Sequence, residues 1–168
     1  DNIDAVGAVY RAPAHLEDAS GDRMPYLLRG VDEGFIGHGG LPLHAWDTSL
    51  GNTSEEAWIS IANFTNVVFL DASFGLESTA DGTTLVPLQF SIGDSILVID
   101  FSNPKNTRSM VVGGFLKQSS YIFSPGVWMA SEPVETQFGG EVTRMYVSVS
   151  PMAPVSYTHL TLPTRRGG

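Results

Sequence analysis

The feature that most constrains the fold is an alternation of side chains with a period of two. Val86, Leu88, Phe90 and Ile92 alternate with Leu85, Pro87, Gln89 and Ser91, and Met145, Val147 and Val149 alternate with Arg144, Tyr146 and Ser148. Successive side chains of a strand point to opposite faces, so each run makes one core face and one face toward water. Ala57, Ile59 and Ile61 alternate with Trp58, Ser60 and Ala62, which predicts another strand from residue 55 onward. Ile96 to Phe101 is apolar on both faces and predicts a central strand. Shorter apolar runs fall at Val67 to Phe74, Met110 to Leu116, Ser120 to Phe123 and Val127 to Ala130. Turn chemistry separates them at Asp81-Gly82, Gly93-Asp94, Ser102 to Asn106 and Gly139-Gly140. About seven to ten short strands at this spacing predict an all-β fold, an antiparallel β-sandwich or a jelly-roll-like barrel. No amphipathic helix and no repeat is predicted.

Residues 1 to 54 lack that regularity. Val6 to Tyr10 is a candidate short strand and Pro25 to Arg29 a second short apolar run, and glycines at 34, 37, 39 and 40 break the pattern beyond them. The expected organisation is an irregular N-terminal arm over 1–54, packed on the domain or exchanged from it, and a β-sandwich core over 55–154.

The chain has 168 residues, the size of one domain, and no cysteine, which excludes disulfides, thiolate metal sites and cysteine nucleophiles. Eighteen acidic residues against nine basic ones give a net charge of −9. Such a surface repels phosphate backbones and anionic lipid, so no nucleic-acid partner is expected. No run approaches the roughly eighteen apolar residues of a membrane-spanning helix, and no membrane span is expected. The first residue is Asp1 and no charged-then-apolar leader follows it, so a processed product or a piece of a longer reading frame is expected.

Residues 155 to 164 read Val-Ser-Tyr-Thr-His-Leu-Thr-Leu-Pro-Thr. The string resembles the conceptual translation of a transposase adapter from sequencing-library preparation. The resemblance implies that 155–168 is a non-biological tail, to be set aside in fold reasoning, and that the natural C-terminus lies elsewhere.

Candidate chemistry concentrates in Gly37 to Asp47. His38 and His44, six residues apart, with Asp47 as a third ligand, are candidates to hold a metal from a loop. Trp46, Trp58 and Trp128 are candidates for a ligand-binding platform, since flat aromatic faces suit sugar rings. Glu55 with Glu56, Glu132 with Glu135, and Asp71 with Glu77 are carboxylate pairs of the kind glycoside hydrolysis needs, although eighteen acids make such pairs inevitable. No Gly-x-Ser-x-Gly elbow supports serine catalysis. Ser124-Pro125-Gly126-Val127-Trp128-Met129 resembles the second box of the cupin family, with Met129 where the family's metal-binding histidine stands. That resemblance implies a cupin-like barrel without its metal; the family's first box is missing.

Scarce convergent chemistry favours a non-catalytic structural or binding domain, and no cofactor is identified. The first expectation is a subunit of an extracellular or virion assembly, such as a capsid, fibre or surface layer, with self-assembly or another protein as partner. Two alternatives stand beside it, a carbohydrate-binding module and a small cupin-like metalloenzyme.

Overall fold

In the computed structural model, residues 3–37, 40–71, 89–117 and 126–149 are described, with side chains described for those between 7 and 143. The organising element is β1 (Ile3–Glu17), a fifteen-residue strand that turns at Asp18 to Asp22 into β2 (Arg23–Val31). The two pair antiparallel from Val9↔Val31 to Glu17↔Arg23. On its other edge β1 has two successive neighbours. Residues Ile3 to Arg11 pair with β8 (Glu141–Val149), and Ala14 to Glu17 pair with β5 (Ser95–Asp100). Pro13 lies in the gap between these two ladders, where its missing N–H costs no hydrogen bond.

Beyond β5 comes β6 (Thr107–Leu116), antiparallel, and then β4 (Val67–Leu70), parallel to β6. β7 (Gly126–Ala130) follows, antiparallel to β4 and parallel to β2. Among the described residues six strands thus close a mixed barrel, β1-β2-β7-β4-β6-β5, with β8 as an extra strand on β1 and β3 (Leu43–Trp46) as one on β6.

The chain is mainly β, as expected, but the sheet closes on itself and two of its seams are parallel. A period of two says that one strand face is buried; it does not say whether the buried face meets a second sheet or the far side of its own. The inside is filled by Ala12, Ala14, Leu16, Leu28, Val68, Leu70, Ile96, Val98, Met110, Val112, Val127 and Met129. Met129, in the cupin-like segment, is therefore barrel core.

A second core lies on the barrel's outer face. Trp128 and Phe69 alternate with inward neighbours and point outward, where α1 (Glu33–Gly37) and α2 (Ser54–Asn63) cover them. β7 is buried on both faces for this reason. The strand expected from residue 55 is α2: Ala57, Trp58 and Ile61 are buried while Ile59 is 54% exposed, a helical rather than alternating pattern. The expected irregular arm over 1–54 carries β1, β2, α1 and β3, and β1 and β2 are two of the six barrel strands. Residues 89–92 lead into the turn at Gly93 without forming a strand; residues 85–88, Asp81-Gly82, 120–123 and the tail 155–168 lie outside the described residues.

The barrel is plugged at one end by α3 (Ser131–Thr136), whose Val134 and the following Phe138 join the interior cluster. Glycine permits this closure: a Cβ on Gly30 would stand 2.8 Å from Val134 Cγ2, and one on Gly140 would stand 2.5 Å from Val134 Cγ1.

Candidate functional site

The parallel pairing of β2 and β7 places Val31 opposite Ala130, so two strand C-termini end side by side. Each strand passes at once into a helix, β2 through Asp32 into α1 and β7 directly into α3. A crevice outside the carboxyl ends of parallel strands is where α/β sheets commonly build sites. Here it is a cleft of about 390 Å³ lined by Val31, Asp32, Glu33, Ile36, Ala130 and Glu132, with Ala62 and Thr65 from the end of α2 forming its third wall.

The walls are held by identifiable bonds. Asp32 Oδ1 accepts the Phe35 amide at 2.9 Å, capping α1, and the Ala8 amide at 2.9 Å, fixing the helix to β1. Arg108 donates to both the carbonyl and the hydroxyl of Thr65 at 3.1 Å and to Gln137 Oε1 at 3.1 Å. Gln137 in turn donates to Asn106 Oδ1 at 3.0 Å. This network ties the end of α2 to the segment after α3. Burial, together with the negative charges of Glu135 and Asp32, raises the phenol pKa of Tyr10 on β1. Val31 and Ile36 are buried, whereas Glu33 and Glu132 are exposed, giving an apolar floor and an acidic rim.

Of the residues singled out from sequence, Glu132 is the one described residue that lines the cleft. His38 lies outside the described residues, and His44 is exposed on β3. Asp47 accepts the Ser49 amide at 2.9 Å and the Ser49 hydroxyl at 2.8 Å, and these bonds, the amide first, hold its carboxyl below the usual carboxylate range. It caps the short 3₁₀ turn Thr48–Leu50. Among the described residues no group of three or more His, Cys, Asp or Glu side chains gathers as a metal site.

The three tryptophans are packing residues. Trp58 and Trp128 are buried, meet edge to face with centroids 6.3 Å apart, and are flanked by Phe35 and Phe69. Trp46 is half-buried and donates its indole N–H to the Gly51 carbonyl at 2.9 Å. Gly40, at φ +65°, approaches Trp58 so closely that a Cβ would stand 2.5 Å from the indole ring.

Of the acidic pairs, Glu132 lines the cleft and Glu135 is exposed on α3, while Glu55 and Glu56 open α2. Asp71 is buried and Glu77 lies outside the described residues. The cleft itself was not anticipated, because its walls come from residues 31–36, 62–65 and 130–132, far apart in sequence and brought together by the parallel seam and the Arg108 bonds.

No protein-family model matches the chain, and no curated protein matches its sequence. Solved structures do match its fold. The extracellular domain of the noncanonic ABC-type transporter YknZ from Gram-positive bacteria superposes with a TM-score of 0.59 at 11% identity, covering 99% of this chain and 78% of that one. The periplasmic region of MacB from Actinobacillus actinomycetemcomitans superposes with a TM-score of 0.58 at 16% identity, covering 98% of this chain and 66% of that one. These likenesses overturn the expected capsid, fibre or surface-layer subunit.

Proposed function

We propose that this chain is an extracytoplasmic domain of an ABC-type transporter, a non-catalytic barrel that engages a protein partner outside the membrane. The observation that carries this reading is the likeness to two such domains along 99% and 98% of the chain. A second feature agrees with it. β1 and β8 pair antiparallel out to Ile3↔Val149, so the strands leading into and out of the barrel lie side by side. A domain inserted into a longer membrane-bound chain needs its two connections adjacent in this way. Three of the described charged side chains serve the fold: Asp32 caps a helix, Arg108 bonds Thr65 to the segment after α3, and Asp71 bonds across the β4–β7 seam.

The absence of cysteine permits a direct test. Lys105→Cys, in the exposed turn after β5, introduces a single thiol into this domain. In a complete transporter carrying the domain, a membrane-impermeant maleimide is expected to label that thiol on intact cells. Labelling only after lysis rules the reading out.

A further inference from the structure

We propose that the cleft between α1, α3 and the end of α2, together with the apolar side chains beside it, is a docking surface for a basic amphipathic segment of a partner protein. Two independent features of the surface converge there. The first is exposed apolar area. Ile59 is 54% exposed and stands three residues before the cleft residue Ala62, on the same helical face. Phe64 is 51% exposed and sits in the chain between Ala62 and Thr65, both of which line the cleft. Large side chains in water beside a concave site mark an interaction surface better than scattered ones do.

The second feature is charge. Glu33 and Glu132 enter the lining from the starts of two different helices, and Asp32 stands between the strand and the first of them. Among the described residues no basic side chain is in the lining, and Arg108, which bonds the lining residue Thr65, is held by Thr65 and Gln137. The cleft's floor, from Val31, Ile36, Ala62 and Ala130, suits the aliphatic stem of a lysine or arginine, whose charged end then meets the carboxylates at the rim. The occupant that fits both features carries Lys or Arg on one face and large apolar residues on the other. An acidic or purely polar segment fits neither. The inference rests on the geometry of the cleft and stands independently of the transporter assignment, so the labelling of Lys105→Cys and the binding test below fail separately.

The test uses the 168-residue chain, isotopically labelled for amide NMR, and three synthetic peptides of equal length: a Leu/Lys amphipathic helix, its Leu/Glu counterpart, and oligolysine. The Leu/Lys peptide is expected to shift amide signals of residues 31–36, 59–65 and 130–132, and to bind at least about tenfold more tightly than oligolysine. The Leu/Glu peptide is expected not to bind. Glu33→Gln with Glu132→Gln, and separately Ile59→Ser with Phe64→Ser, are each expected to weaken the Leu/Lys peptide about tenfold. All four side chains are exposed, and unchanged thermal melting of both double variants is the check that the fold is intact. Shifts scattered over the whole acidic surface, oligolysine binding as tightly, or undiminished binding by both double variants would each overturn the proposal.

Discussion

Asp71 and Trp128 are bonded in the interior, the carboxylate accepting the indole N–H at 3.2 Å with both residues at most 1% exposed. The other carboxylate oxygen accepts the Gly126 amide at 2.6 Å, and the Asp71 amide returns a bond to the Gly126 carbonyl at 3.2 Å. One side chain therefore fastens the end of the β4–β7 seam and orients the largest side chain of the outer core. Asp71→Ala strands two buried donors and is expected to cost on the order of 3 kcal/mol in urea unfolding. Asp71→Asn keeps the volume and one acceptor and is expected to cost less. A loss within the scatter of surface substitutions for the Ala variant would show that both donors find other partners.

Helix α2 starts on a reciprocal pair. Thr53 Oγ1 accepts the Glu56 amide at 3.1 Å, and Glu56 Oε1 reaches back to the Asn52 amide at 2.7 Å. Thr53→Ala is expected to cost about 1 kcal/mol, and Thr53→Ser to recover most of it. Urea melts followed by circular dichroism measure both. Equal stability of the Ala variant would show that the surrounding packing, not the cap, starts the helix.

That Thr-x-x-Glu spacing is a local sign of a helix start, but α2 was read as a strand because the alternation of Ala57, Ile59 and Ile61 masked it. Over six residues, apolar spacings of two and four overlap; Trp58, buried, and Ile59, exposed, decide for the helix only in the folded chain. β5, β6 and β7 were legible because their apolar runs and turn residues are adjacent in sequence. β1 was legible only at Val6 to Tyr10, for a physical reason: its inward positions further on include the small Ala12 and Ala14, and Gly7 and Pro13 interrupt the run. The parallel seams β2–β7 and β4–β6 join residues far apart in sequence, which no local period encodes. The cleft inherits that illegibility, since two of its walls meet across the β2–β7 seam.

Residues 155–168 are expected to add nothing to stability, given their resemblance to a translated adapter. Deleting them is expected to leave the thermal midpoint unchanged. A clear fall in the midpoint would show that the segment belongs to the folded protein.

Stability on the acid side is expected to depend on two turn carboxylates. The Ser20 hydroxyl first, and then the amides of Asp22, Ser20 and Gly21, hold the Asp18 carboxyl below its ordinary range. The Ser49 amide and hydroxyl do the same for Asp47. A carboxylate whose folded pKa lies below its unfolded one stabilises fully above the unfolded value. That contribution is lost as pH falls through the folded value. Asp18→Asn and Asp47→Asn are therefore expected to flatten the fall of the thermal midpoint below the ordinary carboxylate pKa, with the two effects adding in the double variant. An acid limb of unchanged slope in the double variant would assign the pH dependence to other groups.

Two glycines set how closely the helices that wall the cleft approach the barrel. A Cβ on Gly7 would stand 2.3 Å from the Phe35 amide nitrogen and 2.6 Å from its Cα, so Gly7→Ala pushes the backbone of α1 off β1. On Gly30 it would meet Val134 Cγ2 at 2.8 Å and the Ser131 Cα at 2.9 Å, lifting α3 from the barrel mouth. Each substitution is expected to cost about 1–3 kcal/mol, the usual range for overpacking. Gly37 is the control, with nothing among the described residues within 4 Å of the added methyl and no positive φ. Because α1 and α3 carry Glu33 and Glu132, Gly7→Ala and Gly30→Ala are also expected to weaken the Leu/Lys peptide while still folded, and Gly37→Ala is not. Undiminished peptide binding in both destabilised variants would separate the cleft's recognition from the placement of its helices.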